Sequence, residues 1–158
     1  MTKLESSYSK FWPGEVYPCH IQSQSDPKKI LNRGKIKLFG KGFKLSECSD
    51  FSTCFYLKQK TFNDEKNGYT MWGKIRDIKK PNYFLSLETE EGCSKIKCGY
   101  NGEGDDVKII IKSADDFGQM IGNIYVFRKD DIYAMKDTDD VEILIKGYTG
   151  DDFLIKFD

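Results

Sequence analysis

Six side chains in the middle of the chain have the types and spacing to hold a nucleic acid strand: Trp72, Lys74, Arg76, Phe84, Lys95 and Lys97. Within residues 69–100 they alternate with Ile75, Leu85, Leu87, Ile96 and Cys98. Side chains two apart share one face of a strand, so the aliphatics are expected in a core and the other six on the opposite face. That face holds two large rings and four cations, with no carboxylate until Glu88. Rings stack on bases and cations neutralise phosphates, which is what a platform for single-stranded nucleic acid requires. The plainer alternative is a solvated outer face with Trp72 packed under a loop.

Enzymatic chemistry finds little support. His20 is the sole histidine, and Tyr17-Pro18-Cys19-His20 gives it no recognised nucleophile context. There is no HExxH, GxSxG or Walker motif. Residues 99–106, GYNGEGDD, are glycine-rich but lack the Lys-Ser/Thr of a phosphate loop, the spacing of a dinucleotide fingerprint and the oxygen pattern of a calcium loop. Asp-Asp pairs at 105–106, 115–116, 130–131, 139–140 and 151–152 fall at expected turns or at a helix start, where Asp bonds its own backbone. Five cysteines (Cys19, Cys48, Cys54, Cys93 and Cys98) form no CxxC pair, and several sit in apolar strand patterns as reduced, structural thiols. The expectation is a non-enzymatic protein without cofactor or metal, in a reducing compartment.

The elements that must position the six residues follow from alternation and turn chemistry. Met71–Ile78, Asn82–Glu88 and Ser94–Tyr100 read as consecutive antiparallel strands separated by Lys80-Pro81-Asn82 and Glu90-Glu91-Gly92, with Gly73 as a sharp bend. Upstream, Ile30–Phe39, Phe43–Leu45 and Thr53–Lys60 read as strands, and Asn67-Gly68 closes a hairpin. Downstream come Val107–Lys112, Ile124–Arg128, Ile132–Lys136, Val141–Gly147 and Phe153–Phe157. Ser113–Ile121 reads as the one helix, with Ser113 as N-cap, acids in its first turn and Gly122 as its stop. Residues 1–10 are expected to be mobile. Phe11–Pro18 reads as an extended arm laid over an apolar surface, excluded from a central strand by its two prolines.

With 158 residues and 39% hydrophobic content the chain suffices for one globular domain, residues 1–158, comprising an arm over 1–29 and a β-barrel with insertions over 30–158. No apolar run reaches the length of a membrane span. The net charge is zero but uneven: residues 1–80 carry 16 Lys/Arg against 8 Asp/Glu, and residues 81–158 carry 9 against 17. A dipolar surface follows, one pole suited to a phosphate backbone.

The fold class expected is all-β with one short helix: an OB-fold-like five-stranded Greek-key barrel with extra N-terminal and C-terminal strands. Two registers are open, one starting the barrel at residue 69 and the other at Ile30. The opening FWPGEVYPCHIQSQSDPKKILNRGKIKLFG, with Pro13, Gly14, Tyr17 and Gly34, resembles the small Ten-type subunit of the CST telomere-capping complex, and Gly122, Ile124, Tyr125 and Val126 match its fourth strand. Small replication protein A subunits are similar in shape. The resemblance favours the second register. It implies a nuclear subunit (the cytoplasm is the alternative) that pairs with a larger OB-fold protein at single-stranded DNA. Phe11, Trp12 and Tyr17 on the arm are then candidate partner contacts. GYTGDDFLIKFD departs from the family pattern, reading as a strand where such subunits carry a partner-binding helix. The competing expectation is a β-rich interaction, inhibitor or immunity protein with no nucleic acid role.

Overall fold

The computed structural model describes residues 1–36, 40–48, 51–88 and 93–158. One short helix, α1 (Lys3–Ser9), precedes twelve strands: β1 (Val16–Ser23), β2 (Lys29–Lys35), β3 (Lys41–Glu47), β4 (Thr53–Asp64), β5 (Gly68–Asp77), β6 (Phe84–Glu88), β7 (Lys95–Asn101), β8 (Asp106–Ala114), β9 (Gln119–Arg128), β10 (Asp131–Met135), β11 (Leu144–Lys146) and β12 (Phe153–Phe157). Ten of them close into an antiparallel barrel in the order β1-β2-β3-β7-β11-β10-β9-β8-β5-β4 and back to β1. The other two are bridges: β12 spans β1 and β9, and β6 spans β5 and β7.

Alternation decides which side of each strand is buried. Ile75, Leu85, Leu87, Ile96 and Cys98 all lie inside, as the sequence pattern requires, with Phe43, Phe55, Ile109, Ile124 and Phe153. Trp72, Lys74, Arg76, Phe84 and Lys97 are half-buried and Lys95 is exposed on the other side. The bend expected at Gly73 is present: a Cβ there would overlap the Tyr56 carbonyl, and the β4–β5 register shifts between Leu57 and Gln59.

Tyr69 and Asp77, at the two ends of β5, lie roughly 26 Å apart at strand rise, and each anchors a group of contacts at its end of the barrel. At the Tyr69 end α1 packs against β5 and β8. Tyr8 meets Phe62 and Tyr69 edge-on, each with centroids 5.4 Å apart, and Ser7 Oγ shares a 2.6 Å hydrogen bond with the Tyr69 hydroxyl. At the Asp77 mouth Arg33 Nε donates to Asp77 Oδ2 at 2.7 Å, both side chains being 11% exposed. The guanidinium lies 4.7 Å from the Tyr83 ring and 5.2 Å from that of Tyr100, and Asp77 Oδ1 accepts the amides of Lys79 and Lys80.

Three sequence expectations are corrected. Ser113–Ile121 is not a helix: β8 runs to Ala114 and β9 starts at Gln119. Asp115 Oδ1 accepts the amides of Phe117 and Gln119, and Gly118 has φ +80°, so the residues that resemble a helix cap make a hairpin turn. Residues 1–10 are ordered, because Thr2 and Glu5 form a reciprocal capping box that starts α1. Nor is residues 1–29 an extended arm, since it also holds β1, a central strand despite Pro18. The Pro18 carbonyl accepts the Asp158 amide on the β12 edge, just past the last β1–β12 rung, Cys19 to Phe157. The missing N–H of Pro18 points to that same edge, at the end of the pairing, so it removes a terminal bond and not one inside the ladder. The turn expected at Glu90-Glu91-Gly92 and the end of the Ile30–Phe39 strand lie outside the described residues.

Removing one member of the Arg33–Asp77 pair leaves a buried charge unmatched. Asp77→Ala is expected to lower unfolding free energy by about 3 kcal/mol, read from urea denaturation midpoints, and the double change Arg33→Met/Asp77→Leu to recover most of that loss.

Candidate nucleic-acid interface

The outer faces of β4, β5, β8 and β9 form one continuous aromatic and basic surface. Cross-strand register lines up Gln59, Trp72, Lys108 and Tyr125 in one row. Phe127 stands on the same face of β9, two residues beyond Tyr125. The Trp72 and Phe127 rings lie 5.4 Å apart at 42°. Lys108 Nζ sits among them, 5.1 Å from the Trp72 centroid, 5.3 Å from Tyr125 and 5.5 Å from Phe127. An ammonium against three rings is held electrostatically, and Lys108 has no carboxylate partner among the described residues.

The loop after β11 braces this cluster. The Tyr125 hydroxyl donates to the Thr149 carbonyl at 2.5 Å. Asp151 accepts from the Tyr148 hydroxyl and the Asp137 amide, while Asp152 accepts from Lys112 on β8 and Asn123 on β9. The Asp151-Asp152 pair is therefore engaged structurally, but through partners on other elements and not through its own turn backbone. The Lys112 ammonium, then the Asn123 amide, hold the Asp152 carboxyl below its ordinary value.

Of the six residues expected to form the platform, four adjoin. Trp72, Lys74 and Arg76 follow one another along β5, and Arg76 pairs with Phe84 on β6. Their cations are already engaged: Lys74 Nζ donates to the Glu103 carbonyl at 2.7 Å, and Arg76 Nη1 to the Asp77 carbonyl at 3.0 Å. On β4, Tyr56 is exposed opposite Lys74, and Lys58 pairs with Asp106 at 3.3 Å. Lys95 and Lys97 are separate. They line a cavity of about 260 Å³ with Glu88 and Glu142, and Lys97 stands opposite Glu88 across β6 and β7.

The candidate partner contacts also divide. Phe11 is buried, its ring 4.8 Å from Phe157 and 5.2 Å from Tyr17, so it serves the core and not an open surface. Tyr17 is half-buried and its hydroxyl accepts the Trp12 amide at 2.6 Å. Trp12 is 66% exposed.

Lys108, Tyr125 and Phe127 were not among the expected residues, although the signal was available. In DVKIII and NIYVFR the aliphatics Val107, Ile109, Ile124 and Val126 alternate with them, which puts Lys108, Tyr125 and Phe127 outside. His20 stacks edge-on with Phe51 at 5.5 Å, and burial, then the Lys156 charge, lower its pKa. Burial pushes the Cys19 and Cys98 thiols well up, which suits inert structural thiols. Among the described residues no three His, Cys, Asp or Glu side chains cluster as a metal site, and no helix is long and apolar enough to cross a membrane. Compared with known proteins, the chain matches no family model, no curated protein and no solved structure.

Two measurements check this geometry. In a double-mutant cycle, Lys108→Met with Trp72→Leu should show a coupling of about 0.5–1 kcal/mol. The Asp152 contribution is present at neutral pH, because its folded pKa lies below the unfolded one, and it disappears as pH falls through the folded value. Lys112→Met should therefore flatten the acid limb of the stability–pH profile while lowering stability slightly at pH 7.

Proposed function

We propose that this protein is a non-enzymatic β-barrel subunit that binds single-stranded nucleic acid on the outer face of β4, β5, β8 and β9. The observation that carries the reading is the Trp72–Tyr125–Phe127 cluster around Lys108, continued along β5 by Lys74 and Arg76 and on β6 by Phe84. Successive outward residues on a strand lie about 6.6 Å apart, so Trp72, Lys74 and Arg76 offer ring, cation, cation along a path that a flexible strand can follow. Most side chains on this face are half-buried, which fixes their rotamers and lowers the entropy lost on binding.

The resemblance of the opening segment and of residues 122–126 to the Ten-type telomere-capping subunit extends the proposal. An OB-fold-like five-strand plan would lie inside the larger barrel, the protein would work in the nucleus beside a larger OB-fold partner, and exposed Trp12 would supply a partner contact. Lys95 and Lys97, in a separate cavity shared with Glu88 and Glu142, would take part only as a mixed-charge site beyond the main face.

One observation favours a competing reading. Lys58, Lys74 and Arg76 already have partners, which suits a β-rich protein-interaction or inhibitor module with no nucleic acid role.

Fluorescence anisotropy with short single-stranded oligonucleotides separates the two. Binding should weaken with salt at a log–log slope of about −0.7 per phosphate neutralised. Trp72→Ala and Phe127→Ala should each cost about 1–2 kcal/mol, and Lys108→Gln should reduce the salt slope by about one phosphate. Absence of binding at low salt, by the chain alone and with co-purified partners, would favour the interaction module.

A further inference from the structure

The chain has two Asn-Gly pairs, Asn67-Gly68 and Asn101-Gly102, and the fold treats them differently. Such a pair can react with itself, because glycine has no Cβ to keep its amide nitrogen away from the preceding carboxamide carbon. Asn67 is exposed, but its Nδ2 donates to Asp64 Oδ2 at 3.0 Å, and no donor is aimed at its Oδ1 among the described residues. Gly68 is buried in the β4–β5 ladder opposite Asp64, with the Ile111 carbonyl against it. Its nitrogen has no room to swing toward Asn67.

Asn101 ends β7 at the surface, and its side chain folds over Gly102. Oδ1 accepts the Glu103 amide at 3.0 Å and the Gly104 amide at 2.5 Å, the two donors that follow Gly102. Gly102 is exposed, a Cβ there would meet nothing, and its amide has no acceptor among the described residues. Attack of that nitrogen on Asn101 Cγ turns Oδ1 into an oxyanion. The two amides already point at it, as the donors of an oxyanion hole do. The frame around them is fixed: the Asp105 amide donates to the Leu85 carbonyl at 3.0 Å, and Arg128 Nη2 to Asp105 Oδ2 at 2.8 Å.

We propose that Asn101 is a site of spontaneous deamidation and isomerisation. The Gly102 nitrogen gives its proton to solvent hydroxide and bonds to Asn101 Cγ. The Cγ–Nδ2 bond breaks, and Nδ2 leaves as ammonia with a proton from water. The resulting succinimide takes up water at one of its two carbonyls and opens to aspartate or isoaspartate. Isoaspartate adds a methylene to the backbone and a carboxylate to the loop, so it cannot keep both amide bonds in place. The Glu103 and Gly104 carbonyls that hold Lys74 Nζ, at 2.7 and 3.5 Å, are then released. Lys74 belongs to the nucleic acid face, so an effect on binding rests on that reading, whereas the conversion does not.

The test incubates the intact chain at neutral pH and body temperature and maps aspartate and isoaspartate by mass spectrometry of its peptides. Asn101 is expected to convert about tenfold or more faster than Asn67. Gly102→Ala, which the open surroundings accommodate, should slow Asn101 several-fold and leave Asn67 unchanged. In the isolated isoaspartate form the Glu103 and Gly104 amides should exchange with deuterium faster than in the unmodified chain. On the nucleic acid reading, the same form should bind oligonucleotides more weakly, with a salt slope reduced by about one phosphate. An Asn101 that converts no faster than Asn67, a rate that Gly102→Ala leaves unchanged, or amide exchange that isoaspartate does not quicken would overturn the proposal. Should the unmodified chain bind no oligonucleotide, the nucleic acid reading fails alone, and peptide mapping and amide exchange still decide the modification.

Discussion

A sheet that closes on itself leaves no free edge among its members, and this constraint organises the whole molecule. Twelve strands exceed what a single circuit uses here, so some strands share one edge between two neighbours. β1 gives Val16–Cys19 to β4 and Gln22 to β2. β5 gives Tyr69–Gly73 to β8 and Arg76 to β6, while β9 gives Gln119–Gly122 to β12 and Tyr125–Arg128 to β10. Two of these branch points fall at glycine. A Cβ on Gly73 would overlap the Tyr56 carbonyl, and one on Gly122 the Ile110 carbonyl. In both cases the crowding carbonyl lies on the strand paired along the other edge, β4 for Gly73 and β8 for Gly122, so a side chain at the branch would push that pairing open.

The same branching gives the outer face its content. Trp72 and Lys74 flank Gly73, and Tyr125 lies three residues past Gly122, so the aromatic cluster stands where the sheet curves. Curvature brings Trp72 on β5 within 5.4 Å of Phe127 although β8 lies between their strands. Lys108, on that intervening strand, fills the hollow with its ammonium. The mouths need different solutions because a barrel end exposes the inner side of its strands. One end carries the aromatic and hydroxyl contacts of α1, the other an ion pair set against two tyrosines whose rings also pack on each other, 4.6 Å apart.

Local patterns carried much of this information. Two-residue alternation located the central strands and assigned Ile75, Leu85, Leu87, Ile96 and Cys98 to the interior, because burial on one face of a strand leaves a direct mark on composition. The hairpin at residues 113–121 was misread for a physical reason: Ser, Asp and Gly cap helices and close turns with the same side-chain-to-amide bonds, and only the partner strand distinguishes the two. The α1 capping box at Thr2 and Glu5 was legible but overshadowed by a polar N-terminus. Pro18 misled because the rule against proline in central strands concerns an N–H that must find a partner, and whether the neighbouring strand reaches that point depends on a contact 140 residues away with Asp158. Pairings such as β1 with β12 and β3 with β7 leave no local trace, so the ten-strand closure and the grouping of Lys108, Tyr125 and Phe127 with Trp72 came only from the folded chain.

Whether the basic face serves a phosphate chain depends on what a bound cation gives up. Lys74 holds two backbone carbonyls in the loop before β8, at 2.7 and 3.5 Å, an exchangeable role that water can assume when a phosphate approaches. Lys58 would have to leave Asp106, but an exposed pair of this kind is worth little, so the competition is mild. Lys108 differs. Its partners are ring faces, and a base stacking on Trp72 or Phe127 competes for those same faces, while a phosphate at its ammonium does not. The geometry thus favours a strand that approaches Lys108 with its backbone and stacks on the outer sides of the rings, over one that inserts bases into the cluster.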